Sequence, residues 1–269
     1  MCVEGCHQVV AERLSRRGFM AGSLGAAALV PVAAQPALAD TAFERVIDLT
    51  HVLDETFPSY GGRQQFSRET EATFSEASYN AAWWRVHEHT GTHMDAPLHM
   101  SADGLSVADI AVDQLVLPLV VLDVRSEAEG NPDLAVGPDA VRAWEAQYGP
   151  LPSGACVALN SGWARHVRTE KFRNADADGV MHFPGFSSEM ADFLLTEREV
   201  LGVFVDTLSL DPGNSTTFDF HYKWLPTGRW GVECVANLDN VPSSGAHVVV
   251  GAPKVSEGSG GPTRLIALV

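Results

Sequence analysis

His89, His93, Asp95 and His99 fall in one short stretch of a 269-residue chain that has ten histidines in all. Imidazole nitrogens and carboxylate oxygens are the donors that zinc and manganese take. All four positions are odd, so an extended strand would point them to one face. Strand rise alone would hold the first and last about 33 Å apart, too far to share an ion. The chain must therefore fold back, and Gly91 is the residue best able to take the dihedrals this needs. Pro97 argues against a helix with histidines at i and i+4. The stretch reads as a bent strand converging on a divalent cation. Far downstream, His221 and Glu233 stand among apolar neighbours, in Phe220-His221-Tyr222-Lys223-Trp224 and Gly231-Val232-Glu233-Cys234. A buried ionised glutamate is costly unless paired or metal-bound, so these two could complete the shell.

The elements that must position these groups are mostly strands. Val46–Thr50 opens the pattern, and Pro58-Ser59-Tyr60-Gly61-Gly62 marks a turn with an aromatic at its apex. Trp83 to His89 feeds the metal stretch. Leu115 to Val124 is apolar and of strand length, and Pro118 within it predicts a bulge or a sheet edge. Ala155–Asn160 and Leu201–Asp206 are buried strands, the second ending in an acid. Val248–Ala252 and Leu265–Val269 close the chain as strands, joined by a glycine-rich loop at Ser256–Pro262. Asp139 is placed to cap a short helix through Ala146, stopped by Gly149-Pro150. Ser187 is placed to cap a helix whose Met190, Phe193 and Leu194 repeat at helical spacing. The polar loop Lys171–Met181 lacks the ligand cadence of a calcium loop and reads as a solvated loop or lid. His51, His87, His166, His182 and His247 show no partner pattern, with His182 the exception to watch because it abuts that loop. The pattern is a single α/β domain richer in strand than in helix.

Residues 1–39 read as an export signal. Ser15-Arg16-Arg17-Gly18-Phe19-Met20 is a twin-arginine pattern, and the apolar run Ala21–Ala34 is too short and interrupted for a membrane span. Ala37-Leu38-Ala39 supplies a cleavage site, which predicts a mature domain over residues 40–269 and a periplasmic or secreted location. The signal holds three basic and two acidic residues against a whole-chain charge of −16. The mature part therefore carries about −17, which disfavours nucleic-acid and anionic-membrane partners. Cys2 and Cys6 leave with the signal, while Cys156 and Cys234 sit in apolar runs and read as buried free thiols, with a disulfide formed after export as the alternative.

The stretch from His89 to His99 matches every specified position of H-x-G-T-H-x-D-x-P-x-H. In this it resembles the cyclase-type metal hydrolases, the family of bacterial kynurenine formamidase and isatin hydrolase. The resemblance continues through Phe183-Pro184-Gly185-Phe186-Ser187, Asp206-Thr207-Leu208-Ser209-Leu210-Asp211, the His221/Glu233 pair and Gly260-Gly261-Pro262-Thr263-Arg264. It implies that His89, His93 and Asp95 bind metal, with Asp95 able to bridge two ions. His221 and Glu233 match the remaining metal positions, and His99 matches the catalytic acid/base. Tyr60 stands where the formamidases carry an aromatic, usually tryptophan, beside the substrate. The fold implied is a strand-rich α/β domain with a mixed, barrel-like sheet of the swivelling β/β/α type and flanking helices, assembled as homodimers or tetramers.

The expected reaction is hydrolysis of a C–N bond in a small aryl formamide, cyclic imide or lactam, using one or two Zn2+ or Mn2+ ions. Such ions acidify water from about 15.7 toward about 7, and His99 would shuttle the proton to the leaving nitrogen. Two other readings use the same residues: a periplasmic metal- or ligand-binding module without catalysis, and a metal-dependent cyclase or lyase. Turnover of an amide panel separates the first from an enzyme, and water uptake separates the second.

Overall fold

One edge strand of the sheet and the strand next to its opposite edge are joined by a single residue, Thr263, and this forces the sheet to curl. A computed structural model describes residues 43–269, so the export signal, Cys2 and Cys6 lie outside the described residues. Its strands are β1 (Val46–Asp48), β2 (Phe66–Ala72), β3 (Ala81–Val86), β4 (His93–Asp95), β5 (Val116–Asp123), β6 (Ala135–Val136) and β7 (Ala155–Asn160). They continue with β8 (Gly185–Phe186), β9 (Val200–Val205), β10 (Trp230–Glu233), β11 (Ala246–Gly251), β12 (Gly260–Pro262) and β13 (Arg264–Leu268). Nine of them form one sheet in the order β1-β13-β11-β5-β7-β9-β10-β4-β12. β5, β7, β9 and β10 are mutually parallel, and the remaining pairs are antiparallel. β12 is the edge at one end, yet β13 follows it directly beside the other edge. The Thr263 N–H bonds to the Thr92 carbonyl, which ties that crossing point to β4. The result is a mixed half-barrel of the expected class.

Period-two alternation decides what each face buries. Leu117, Leu119 and Val121 of β5, Cys156 and Ala158 of β7, Phe204 of β9 and Leu265 and Ala267 of β13 fill the inside of the curl. Val120 and Leu122 of β5, Val157 and Leu159 of β7, and Val203 and Val205 of β9 face outward under helices. Parallel neighbours need crossovers, and each crossover here carries a helix onto that outer face: Pro138–Tyr148, Ser188–Thr196 and Asp219–Trp224. Val141, Trp144, Met190, Phe193, Leu194, Phe220 and Trp224 supply their buried stripes. Ser187 caps the second helix as expected, its hydroxyl accepting the Met190 N–H at 3.2 Å.

Two local expectations are corrected. The helix between β5 and β7 starts two residues earlier than expected, with Gly137 as its cap, Pro138 at its first position and Asp139 in its first turn. It also runs on to Tyr148, because the chain first meets a break at Gly149, where φ is +92°. Pro118 marks neither an edge nor a bulge: β5 is an inner strand. The proline is tolerated because β7 joins only from Leu119 onward, leaving β11 as the only neighbour at 118. The segment Trp83–Val86 belongs to a separate hairpin, β2–β3, which adds to no other strand among the described residues. Cys156 and Cys234 are buried free thiols. Among the described residues no helix is long and apolar enough to cross a membrane.

Candidate metal centre

Gly91 takes φ of +69°, in the left-handed region that favours glycine. The turn lets His89 come back over β4, and its Nδ1 lies 2.6 Å from Asp95 Oδ1. Along β4 the side chains alternate. Met94 enters the inside of the curl, so His93 and Asp95 share the opposite face. β10 pairs antiparallel with β4 and sets Glu233 directly across from His93. His93 Nε2 is thereby 3.4 Å from Asp95 Oδ1 and 3.5 Å from Glu233 Oε2. The helix Asp219–Trp224 lowers His221 onto the same spot, with Nε2 at 3.1 Å from Glu233 Oε1 and 3.6 Å from Asp95 Oδ2. Pro97 opens a 3-10 turn that ends on His99, whose ring stacks on His89 at 3.9 Å between centroids. Residues from the upstream stretch and residues over a hundred positions later thus meet at one point.

The donors form two sets that share Asp95. Those of His89, Asp95 and His99 lie within 4.8 Å of one another, as do those of His93, Asp95 and Glu233. Two buried atoms of the cluster make no hydrogen bond: His93 Nε2 and Asp95 Oδ2. Leaving such groups unpaired costs about 1–3 kcal/mol each, and a cation seated among them would satisfy both. Their neighbours already point the right nitrogens inward. His93 Nδ1 is engaged by the Gly91 carbonyl at 2.9 Å and His221 Nδ1 by Asp211 Oδ2 at 2.6 Å, which leaves each Nε2 facing the cluster. The residues present fit a divalent metal ion.

Comparison with known proteins agrees with this geometry. The family model described as putative cyclase matches residues 47–212, a span that holds the whole upstream ligand stretch. This chain belongs to the cyclase family. The isatin hydrolase of Roseibium aggregatum is 30% identical over 243 residues, covering 83% of this chain and 91% of its own. A kynurenine formamidase of Bacillus cytotoxicus is 27% identical over 221 residues, covering 82% and 95%. The crystal structure of an isatin hydrolase bound to the product analogue thioisatinate superposes with a TM-score of 0.77 at 28% identity, covering 83% and 92%. This cyclase-family chain is accordingly a metal-dependent amide hydrolase.

The electrostatics of the cyclase-family site show a demand for positive charge. Burial opposes charge on His93, yet Asp95 and Glu233 outweigh it and push the imidazole up to about 9. Burial also opposes charge on His221, but Asp211, Asp95 and Glu233 hold it well above its ordinary value. Burial and the neighbouring Asp95 charge raise the Glu233 carboxyl. Protons on these imidazoles stand in for the charge a cation would bring. His99 differs: burial outweighs Asp95 and pulls it down to about 4, so in the cation-free fold the ring is neutral and only weakly basic.

Beside the cluster lies a cavity of about 360 Å3 whose far walls include Pro58, Tyr60, Met100, Leu208 and Phe218. Tyr60, at the apex of the expected turn, packs on Phe218 with ring centroids 5.9 Å apart. All seven residues singled out from sequence therefore line this one cavity.

Several functional neighbours were not singled out. Asp211 holds the His221 ring and also accepts the backbone N–H groups of Phe220 and His221. Its sequence signal was the final acid of the Asp206–Asp211 motif. The Thr92 hydroxyl donates to the Cys234 carbonyl at 2.6 Å and accepts the His51 N–H at 3.0 Å, which clamps the metal stretch to the end of β10. There Cys234 takes φ of +55°, turning the chain immediately after Glu233. His87 lines the cavity although its sequence context gave no sign of it. His182 instead pairs with Asp133 at 2.8 Å and Asp176 at 3.4 Å beside the polar loop.

Proposed function

We propose that this protein hydrolyses the C–N bond of a small aryl formamide, cyclic imide or lactam. The carrying observation is the pair of buried atoms that make no hydrogen bond, His93 Nε2 and Asp95 Oδ2, on the floor of an aromatic-walled cavity. Relatives named isatin hydrolase and kynurenine formamidase support the substrate class. In this reading His89, His93, Asp95, His221 and Glu233 hold one or two Zn2+ or Mn2+ ions, with Asp95 common to both donor sets. A bound divalent cation supplies Lewis acidity, making water nucleophilic near neutral pH and offsetting charge that grows on a carbonyl oxygen. His99, neutral by burial and stacked on His89, takes the proton from the attacking water at a ring nitrogen. It returns that proton to the leaving nitrogen. Tyr60 and Phe218 wall the side where the aryl ring lies and keep bulk water from the reacting bond.

The twin-arginine segment supports export of the folded protein to the periplasm or beyond. The exposed Phe74, Tyr79, Trp83 and Trp84 on and beside the β2–β3 hairpin support a homo-oligomer, because large aromatic side chains are enriched in subunit interfaces. The deciding experiment is turnover of N-formylkynurenine, isatin and simple formanilides by the metal-replete protein, with elemental analysis of the same sample. Hydrolysis of at least one supports the reading. Full metal loading without hydrolysis across the panel refutes it and favours a binding module.

A further inference from the structure

We propose that Glu88 and Ser259 form a relay behind His89 that selects its tautomer and presents Nδ1, rather than Nε2, to the cation. The proposal rests on the reading of His89 as a metal ligand.

Ser259, in the loop that leads into β12, sits between two groups. Its Oγ is 2.5 Å from Glu88 Oε2 and 2.9 Å from His89 Nε2. The backbone N–H of Ser259 also donates to Glu88 Oε2, at 3.3 Å. An ionised carboxylate only accepts hydrogen bonds, and a serine hydroxyl has one hydrogen. That hydrogen goes to Glu88, so Ser259 has only a lone pair to offer His89. His89 Nε2 must then carry the ring's hydrogen. A neutral imidazole has one N–H, so once a cation replaces the hydrogen that bridges Nδ1 to Asp95 at 2.6 Å, the hydrogen held toward Ser259 keeps Nε2 occupied and Nδ1 is the nitrogen with a lone pair to give.

His89 is inverted relative to its companions. His93 is anchored through Nδ1 by a carbonyl and His221 through Nδ1 by Asp211, and both offer Nε2. The inversion follows from the backbone: His89 lies outside β4 on the far side of the Gly91 turn, so its ring approaches from the flank where β12 runs. β12 sets Gly260 directly across from Asp95, which carries Ser259 to the outer edge of the ring. Hydrogen-bonded partners of this kind orient a ligand and raise its basicity. Glu88 and Ser259 touch neither the cation's site nor the cavity's reacting centre, so they are positioning residues.

The test is cation affinity, by chelator competition, and the melting temperature of the chelated protein, measured for Ser259→Ala, Glu88→Ala, the double variant and His89→Ala. Each single relay variant should lose about 10–100-fold in affinity, the usual cost of removing such a partner, while the chelated melting temperature stays at the wild-type value. The double variant should bind no more weakly than Ser259→Ala, because Glu88 acts only through the serine. The visible spectrum of the cobalt-loaded protein should shift in both single variants as the imidazole re-orients. Wild-type affinity and an unshifted spectrum in both variants would overturn the relay, as would losses that add in the double. If Ser259→Ala fails to fold, Glu88→Ala decides alone, on the same two readouts. His89→Ala keeps the two claims apart. Wild-type affinity in that variant would refute the ligand assignment itself, whereas a loss there with intact relay variants would refute only the relay.

Discussion

Gly260→Ala places one methyl group where the metal centre has no room. A Cβ at 260 would lie 2.6 Å from His89 Cε1, 2.6 Å from the Met94 carbonyl oxygen and 2.9 Å from His89 Nδ1. Ordinary contact begins at 3.4 Å, so about 0.8 Å of relief is needed, and metal–ligand distances tolerate only about 0.2 Å. The Met94 carbonyl belongs to β4 and yields little, which sends most of the displacement into the His89 ring. Overpacking of this kind costs about 1–3 kcal/mol. Cation affinity should fall toward the upper end of the about 10–100-fold range seen when ligand support is lost. Chelator competition reads the affinity, and denaturant unfolding of the chelated protein reads the packing cost. Gly130→Ala is the control. Nothing lies within 4 Å of its added Cβ, so it should leave affinity unchanged and raise stability by about 0.4–1 kcal/mol. Wild-type affinity and stability in Gly260→Ala would refute the claim that β12 and His89 are in contact at this point.

Three further outcomes are expected. His99→Ala should retain bound metal by elemental analysis yet lose turnover, and full activity in that variant would remove His99 from the mechanism. His93 sits at about 9 in the metal-free fold against an ordinary 6.5. Its stabilising contribution is therefore complete below pH 6.5 and lost as pH rises through about 9. Melting of the chelated protein should fall across that window, while the metal-loaded protein, whose ligating imidazoles are neutral, should not show the fall. Trp84, 71% exposed on the free hairpin, should belong to a subunit contact. Trp84→Glu should lower the mass measured by light scattering to that of one chain, and an unchanged mass would place the contact elsewhere.

The local half of the site was legible without coordinates because short-range physics decides it. Gly91 had to supply a left-handed turn and Pro97 had to end any helix, so His89, His93, Asp95 and His99 had to converge within a bent segment. Continuous apolar runs of strand length likewise marked β5, β7 and β9 as buried strands, because a strand covered on both faces needs no polar alternation. Pro118 misled for a non-local reason. Whether its missing N–H matters depends on how far β7 extends, which no window around residue 118 contains.

What only the tertiary structure decided is register and reach. Glu233 meets His93 because β10 pairs with β4 in one of two possible phases, and a slip of one residue would turn its carboxylate into the curl. His221 arrives from a six-residue helix whose position is set by packing Phe220 and Trp224 against the sheet. Glu88 and Ser259 are ordinary residues in sequence, and even Asp211, the last acid of a motif, has its partner chosen by that packing. Residue type and local dihedrals specify which groups offer lone pairs, but the pairing of distant strands determines where those lone pairs point.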